Sequence, residues 1–176
     1  MKNGFEIRGN VAAILLHRND GAIFETTIDF NDLEKAAEFP NTWYASWNPP
    51  TQSFYVYGKL PAVSGRRQTV QLHRWLAGAS HTQQVDHINL DTLDNRRSNL
   101  RLASPAENAQ NKKVQRRNNK SGYRGVSWCS TNQKWIAQVM VGRKNKFIGY
   151  FSNKHEAGKK VASARATLMP FSREAL

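Results

Sequence analysis

The sequence has little cysteine and no long apolar run, and each absence excludes a class of protein. A single cysteine, Cys129, excludes an internal disulfide and a Cys-x-x-Cys zinc knuckle. The longest apolar run covers residues 11–16, far short of the roughly 20 residues that cross a membrane as a helix. The start of the chain leads into no hydrophobic region of a signal peptide. We therefore expect a cytoplasmic protein with no membrane partner.

Acidic residues are scarce, and one segment almost lacks them. The chain has 26 Lys and Arg against 13 Asp and Glu, a formal charge of +13. Residues 111–160 hold 13 of the basic residues and one acid, Glu156, so this segment carries +12 and the rest +1. Such regional charge favours a polyanionic partner. A solvated basic tail is the alternative, but the aromatic residues interleaved with the charge argue against it, because disordered arms carry little apolar surface.

The pattern along the chain predicts an α+β protein with several small modules. We assign a mixed β scaffold to residues 1–70, a strand–loop–strand–helix core to residues 71–111, and a basic linker to residues 112–122. Residues 123–170 then form a three-stranded antiparallel sheet packed on one helix.

The scaffold region shows no recognisable chemistry. Strands are predicted at residues 11–16 and 24–28, followed by a helix over residues 29–39 that Asp29 or Asn31 caps. Residues 43–47 and 54–57 form a hairpin around an Asn-Pro-Pro turn.

The segment from Val85 to Asn111 carries a pattern that points to chemistry. A short apolar strand leads to Asp86 and His87, a polar loop follows, residues 99–102 are extended, and a capping box at residues 104–107 begins a helix. Consecutive residues of a regular strand face opposite sides, so a shared site requires the strand to end or bulge at this pair. Asn108, in the first turn of the helix, could then face the pair.

These residue types suit a hydrolytic metal site. Carboxylate and amide oxygens, here of Asp86 and Asn108, are ligands for Mg²⁺ or Mn²⁺ rather than zinc. A neutral imidazole such as that of His87 can take a proton from an attacking water molecule. An EF-hand is excluded, because the loop lacks the central Gly and the terminal Glu.

The segment resembles the ββα-metal site of the HNH nuclease superfamily, in the Asp-His…Asn…Asn form of phage and intron-associated homing endonucleases. The resemblance implies that His87 is the general base, that Asp86 and Asn108 hold one divalent metal, and that Asn99 bridges the hairpin and orients the histidine. The preceding Leu-His-Arg-Trp-Leu stretch resembles the family's lead-in and makes His73 a possible support. Asn108 stands where many members have His, which disfavours a structural-zinc or colicin-like version.

The second module alternates strands with polar turns. Strands are predicted at residues 123–128, 134–141 and 146–151, and Asn153 caps a final helix. The odd-numbered residues of the middle strand face the helix, so Lys134 and Gln138 lie on the open face. We expect basic residues of the turns and linker to reach phosphates there: Arg143, Lys144, Lys146, Arg116 and Arg117.

This module resembles the APETALA-type (ethylene-response-factor) DNA-binding domain through its Tyr-Arg-Gly-Val, Lys-Trp-Ile-Ala and Phe-Ile-Gly-Tyr-Phe stretches. The resemblance implies a three-stranded sheet in the major groove, with Arg124 contacting DNA. Ser127 and Met140 stand where plant members carry arginine, so their base recognition does not transfer.

We therefore predict a metal-dependent endonuclease that cuts double-stranded DNA at a recognised site and leaves 5′-phosphate and 3′-hydroxyl ends. Activity should rise with pH through about 6.5, the ordinary pKa of histidine. A DNA-binding regulator with an inactive nuclease fold is the alternative, and a structured-RNA binder is a third. The sequence indicates no obligate protein partner, and we predict a monomer.

Overall fold

The computed structural model describes residues 1–18, 20–111 and 119–172. It contains several small antiparallel sheets and few helices, which confirms the α+β class. The chain divides into two compact units, Met1–Pro105 and Ala106–Leu176. No helix in the described ranges is long and apolar enough to cross a membrane. Arg116, Arg117 and most of the predicted linker lie outside the described residues.

The first sheet of the first unit contains three strands in the order β1-β2-β3. They are β1 (Phe5–Arg8), β2 (Val11–His17) and β3 (Ile23–Asp29). The central strand β2 contains the longest apolar run of the sequence, residues 11–16, and Ile14 and Leu16 are fully buried in the core. The sequence pattern indicated β2 and β3 but not β1, whose side chains are all exposed.

The predicted helix after β3 is shorter than its apolar spacing suggested. A 3-10 turn at Phe30–Asp32 leads into α1 (Leu33–Ala37). Neither predicted cap forms: Asp29 precedes the 3-10 turn but its side chain makes no capping hydrogen bond, and the cap position of α1 is Asp32 rather than Asn31. Asp29 Oδ2 instead accepts from the backbone N–H of Arg97, 2.6 Å away. The Asp29 carboxylate, which the local pattern predicted as a helix cap, therefore makes a tertiary hydrogen bond with Arg97.

The second sheet follows as β4 (Trp43–Asn48), β5 (Ser53–Lys59) and β6 (Thr69–Gln71), in the order β4-β5-β6. The hairpin of β4 and β5 forms where the aromatic pattern placed it. Phe39 stacks on Trp43 with ring centroids 4.0 Å apart. Gly58 lies opposite Trp43, and a Cβ there would come within 2.4 Å of the Phe39 ring, so only glycine fits. The helix α2 (Leu72–Ala77) completes this core.

The third sheet pairs β7 (Gln84–His87) with β8 (Leu100–Ala103), with Asp86 opposite Arg101. The strand β7 ends at His87, where the backbone N–H of Leu90 donates to the His87 carbonyl in a tight turn. After β8, the four-residue helix α3 (Pro105–Asn108) and a 3-10 turn at Ala109–Asn111 follow.

The second unit contains the strands β9 (Val126–Cys129), β10 (Lys134–Val141) and β11 (Lys144–Phe151), and the helix α4 (Lys154–Leu168). The sheet has the order β11-β10-β9. Its core joins residues of β10, such as Ala137 and Val139, to Ala157 and Val161 of α4. Asn153 Oδ1 caps α4 by accepting from the backbone N–H of His155 at 2.8 Å.

Two boundaries of this sheet differ from the sequence-based assignment. The strand β9 begins at Val126 rather than at residue 123, because Gly125 has a φ of +85° and ends a turn there. The strand β11 begins at Lys144 rather than at residue 146. Gly142 and Arg143 both have positive φ, so two residues suffice for the turn from β10.

Candidate active site

Asp86 and Arg101 form a cross-strand ion pair at the candidate site. Arg101 Nε and Nη2 both donate to Asp86 Oδ2, at 3.0 and 2.8 Å. The two side chains are 8% and 16% exposed. Because both partners are largely buried, removing either one would leave the other as an unpaired buried charge.

His87 lies among other rings and is almost fully buried. Its ring is edge to face with His73 of α2, at a centroid distance of 4.9 Å, and 5.9 Å from Tyr55 of β5. Burial lowers the pKa of His87, and the hydrogen bond with Asn95 and the nearby carboxylates oppose this only in part. Burial also lowers the pKa of His73 to about 3. Both rings are therefore neutral at neutral pH.

Asn95 fixes which nitrogen of His87 carries the proton. Thr26 Oγ1 donates its one hydrogen to the Leu93 carbonyl at 2.6 Å, so it must accept from Asn95 Nδ2 at 2.8 Å. The amide oxygen of Asn95 consequently faces His87 Nε2, 3.1 Å away. An oxygen acceptor requires an N–H at Nε2, so the lone pair of the neutral ring is on Nδ1. This assignment follows from the hydrogen-bond network.

Asn99 holds together the loop between β7 and β8. Its Oδ1 accepts from the backbone N–H of Asn89 at 2.9 Å, and its Nδ2 donates to the carbonyls of Asp94 and Asp91 at 2.8 and 3.3 Å. The side chain is buried, so each lost bond would leave a polar group without water. Asn99 bridges the hairpin, whereas Asn95 contacts the histidine ring.

The first sheet supports this loop from outside the motif. The backbone N–H of Thr27 donates to Leu93, and that of Asn95 donates to the Thr27 carbonyl at 2.7 Å. Arg97 Nη2 also forms an ion pair with Asp32 at 2.6 Å. Residues that showed no chemistry in the sequence therefore position the loop that holds His87.

Sequence reasoning missed Asn95 and Thr26. Asn95 is fully buried within the Asp-Asn-Arg-Arg stretch, which looks like an ordinary polar loop. Thr26 is 69 residues away in sequence. No spacing rule relates the two positions, so only the fold could bring them together.

The donor chemistry here fits a hard divalent cation. Asp86 offers a buried carboxylate oxygen, and such ions are commonly bound by one or two carboxylates with water and substrate phosphates. Within the described ranges, no group of three His, Cys, Asp or Glu side chains forms a complete metal site. Asn108, the amide expected as a second ligand, ends α3 and belongs to the second unit.

Four of the eight predicted DNA-contacting residues are exposed on the sheet of the second unit or in its turns: Lys134, Arg143, Lys144 and Lys146. Gln138 is half-buried. Arg124 has a different environment. Its Nη1 donates to the carbonyl of Gln110 at 2.9 Å, and its own carbonyl accepts from Arg165. At least one nitrogen of Arg124 therefore binds the protein's own backbone.

Comparisons with known proteins point to the same region. Residues 55–110 match the family model of the HNH endonuclease, beginning upstream of residue 71, where the sequence pattern placed the core. The chain is 38% identical over 64 residues to Protein 3.8 of Escherichia phage T7. The aligned segment covers 36% of this chain and 52% of that protein. The chain thus spans about half the length of this curated relative. No solved structure matches the chain.

Proposed function

We propose that this protein is a metal-dependent DNA endonuclease of the HNH type, which hydrolyses phosphodiester bonds at a recognised site. One observation carries the proposal: His87, Asp86 and Asn99 occupy one strand pair and its loop, inside the 55–110 match to the HNH endonuclease. Asp86 and His87 end the strand β7, while Asn99 holds the loop that follows.

His87 is the general base of the proposed reaction. Its ring is neutral because burial lowers its pKa, and the bond from Nε2 to Asn95 leaves the lone pair on Nδ1. A water molecule placed at Nδ1 would lose its proton to the ring as its oxygen attacks phosphorus. The contacts with Tyr55 and His73 hold the plane of the ring, which a positioned base requires.

Asp86 and Asn108 would hold the divalent ion, Mg²⁺ or Mn²⁺. When bound, the ion supplies positive charge for the phosphate and the departing 3′ oxygen. Arg101, now paired with Asp86, must then share or release the carboxylate. The products would be 5′-phosphate and 3′-hydroxyl ends.

The second unit would bring the enzyme to double-stranded DNA. Its resemblance to the APETALA-type domain and its exposed lysines support this role, with Gln138 on the open face of β10. Phosphate contacts from Lys144 and Lys146 would position the module, while side chains on the open face would contact bases.

Cleavage of supercoiled plasmid tests the proposal. DNA carrying candidate phage or intron-insertion sequences is incubated with Mg²⁺ or Mn²⁺, and in parallel with EDTA. We expect nicked or linear product only with metal, and none from His87→Ala. His81→Ala replaces an exposed histidine outside the site and should cut like the unaltered protein. Binding without cutting on any substrate would favour a regulator with an inactive nuclease fold.

A further inference from the structure

A groove of about 960 Å³ runs along the exposed edge of the second sheet in the first unit. The strand β4 is one of the two edge strands of this sheet, and its residues 44–47 form one wall of the groove. The rest of the lining comes from the end of the β2–β3 hairpin, from β5 and the segment that follows it, from residues 41–42 before β4, and from Lys2. None of these residues belongs to the candidate active site.

The groove concentrates positive charge in a unit that has little overall. Residues 1–105 hold 11 basic and 10 acidic residues, a net charge of +1. The groove is lined by four basic side chains and one acidic one: Lys2, Arg18, Lys59, Arg67 and Asp20. Asp20 pairs with Arg18 at 2.9 Å. Among the described residues, the other three cations form no ion pair, so their charge is available to an anionic ligand.

Aromatic side chains lie between these cations. Trp47 is half exposed and packs edge-on against Phe54, with ring centroids 5.0 Å apart. Lys59 Nζ lies 5.9 Å from the ring centre of Tyr44. Aromatic rings bordered by cations are the arrangement that binds single strands, because unpaired bases stack on the rings while phosphates meet the charges.

A two-residue hairpin turn precedes Arg67, one of the basic residues of the groove. Val63 and Arg66 exchange two backbone hydrogen bonds, at 2.9 and 3.0 Å, around Ser64 and Gly65. Both turn residues have positive φ, as a two-residue hairpin turn requires. Ser64 and Gly65 are therefore the tip of this turn, and Arg67 follows the paired Arg66 and lines the groove.

We propose that this groove binds a single-stranded segment of DNA, with a base stacked on Trp47 and phosphates at Lys59 and Arg67. A duplex hides the faces of its bases, so the exposed ring selects an unpaired strand. The binding of a single strand is argued from the groove alone. The further statement that this strand is part of the cleaved DNA rests on the proposed nuclease function.

Photo-cross-linking of the full chain tests the assignment locally. The probe is a single DNA strand of about 12 nucleotides that carries 5-iodouracil. The cross-linked peptide is identified by mass spectrometry. We expect a cross-link at Trp47 that Trp47→Leu removes. Phe30→Leu, which alters an equally exposed ring outside the groove, should retain it. Cross-links confined to residues 119–172, or formed equally with a duplex probe, would overturn the proposal.

A matched pair of charge variants tests the phosphate contacts. Arg67→Gln and Arg8→Gln remove the same charge from the same unit, but Arg8 lies outside the groove and pairs with Glu6 and Glu25. We expect the Trp47 cross-link yield to fall severalfold for Arg67→Gln only. An equal yield in both variants would contradict the assignment. Cross-linking requires no cleavage. The binding proposal can therefore be confirmed or refuted even if the plasmid assay shows no nuclease activity.

Discussion

His73 and His87 meet edge to face in the interior of the first unit, and they differ in what surrounds them. Desolvation dominates for His73, and the neighbouring His87 lowers its pKa further. For His87, the bond with Asn95 and the charge of Asp86 act against desolvation. His73 is therefore a neutral packing partner, while His87 retains the capacity to accept a proton.

The first prediction concerns acid stability. The pKa of folded His73 is about 3, below the 6.5 of the unfolded chain, so the unfolded state binds more protons between these values. Stability should fall as the pH drops below about 6.5. Between pH 8 and pH 5, His73 should account for about 2 kcal/mol of that loss.

Urea unfolding at the two pH values measures this loss. His73→Met removes the titrating group and should show the smaller decrease, while His81→Met, at an exposed site, should behave like the unaltered protein. An identical decrease in all three proteins would rule out His73 as the source.

The second prediction concerns the pH dependence of cutting. A general base acts in its neutral form, and burial lowers the pKa of His87, so the acid limb should lie below pH 6.5 rather than at it. The measurement is kcat/KM for plasmid nicking from pH 4.5 to 8, with activity rechecked after return to pH 7. A midpoint above 6.5 would contradict the environment described for this ring.

The third prediction concerns the tautomer of His87. Asn95→Leu removes the oxygen that accepts from Nε2–H, so both neutral tautomers should become populated. Ring ¹⁵N chemical shifts should show one tautomer in the unaltered protein and a mixture in the variant. Cutting should fall about 10- to 100-fold. Asn95→Asp keeps an oxygen acceptor at this position and should keep the tautomer of His87. Unchanged ¹⁵N shifts in Asn95→Leu would show that Asn95 does not fix the tautomer.

At the scale of elements, the loop between β7 and β8 depends on two supports. Asn99 ties its residues to one another, and β3 holds it from outside through Thr26 and Thr27. The strand β3 therefore has a specific role in the site beyond packing. The upstream sheet therefore supports a loop inside the segment that matches the HNH endonuclease model.

The fourth prediction concerns the contact of α4 with the turn before β9. A Cβ on Gly158 would lie 2.4 Å from the Tyr123 ring, so the glycine lets the helix approach. Gly158→Ala should destabilise the second unit by about 1–3 kcal/mol despite alanine's better helix propensity.

Thermal unfolding of the full chain gives the comparison. Ser163→Ala, on the exposed side of the same helix, should be neutral or slightly stabilising. A gain in stability for Gly158→Ala would show that the ring moves away without cost.

For the whole molecule, charge is divided unequally between the units. Residues 106–176 hold the remaining 15 basic residues and 3 acids, a net +12. In the first unit, most acids are matched by arginines in ion pairs, such as Asp32 with Arg97 and Asp94 with Arg96. Attraction to a polyanion should therefore come mainly from the second unit.

The fifth prediction follows from this division. Affinity for duplex DNA should fall about 10³-fold between 50 and 200 mM salt, because each phosphate contact releases condensed counterions. Replacing Lys144 and Lys146 by Gln together should lower the slope of log K against log salt by about 2. Arg8→Gln should leave the slope unchanged. Equal slopes in all three proteins would place the DNA contacts elsewhere.

Local patterns in the sequence were enough for several elements. Alternation along residues 134–141 predicted which side chains of β10 pack on α4, and Asn153 predicted where that helix begins. The order of Asp86, His87 and Asn99 pointed to the region that matches the HNH endonuclease. These inferences succeed because strand alternation and helix caps depend on residues close together in the chain.

Only the tertiary structure decided what surrounds His87. Tyr55, His73, Asn95 and Thr26 come from β5, α2, a loop and β3, and no local rule connects them. The same holds for Asp29, whose carboxylate binds Arg97 instead of capping a helix. Burial and pairing across long sequence separations depend on how the sheets pack, so the low pKa and the tautomer of the proposed base are properties of the fold.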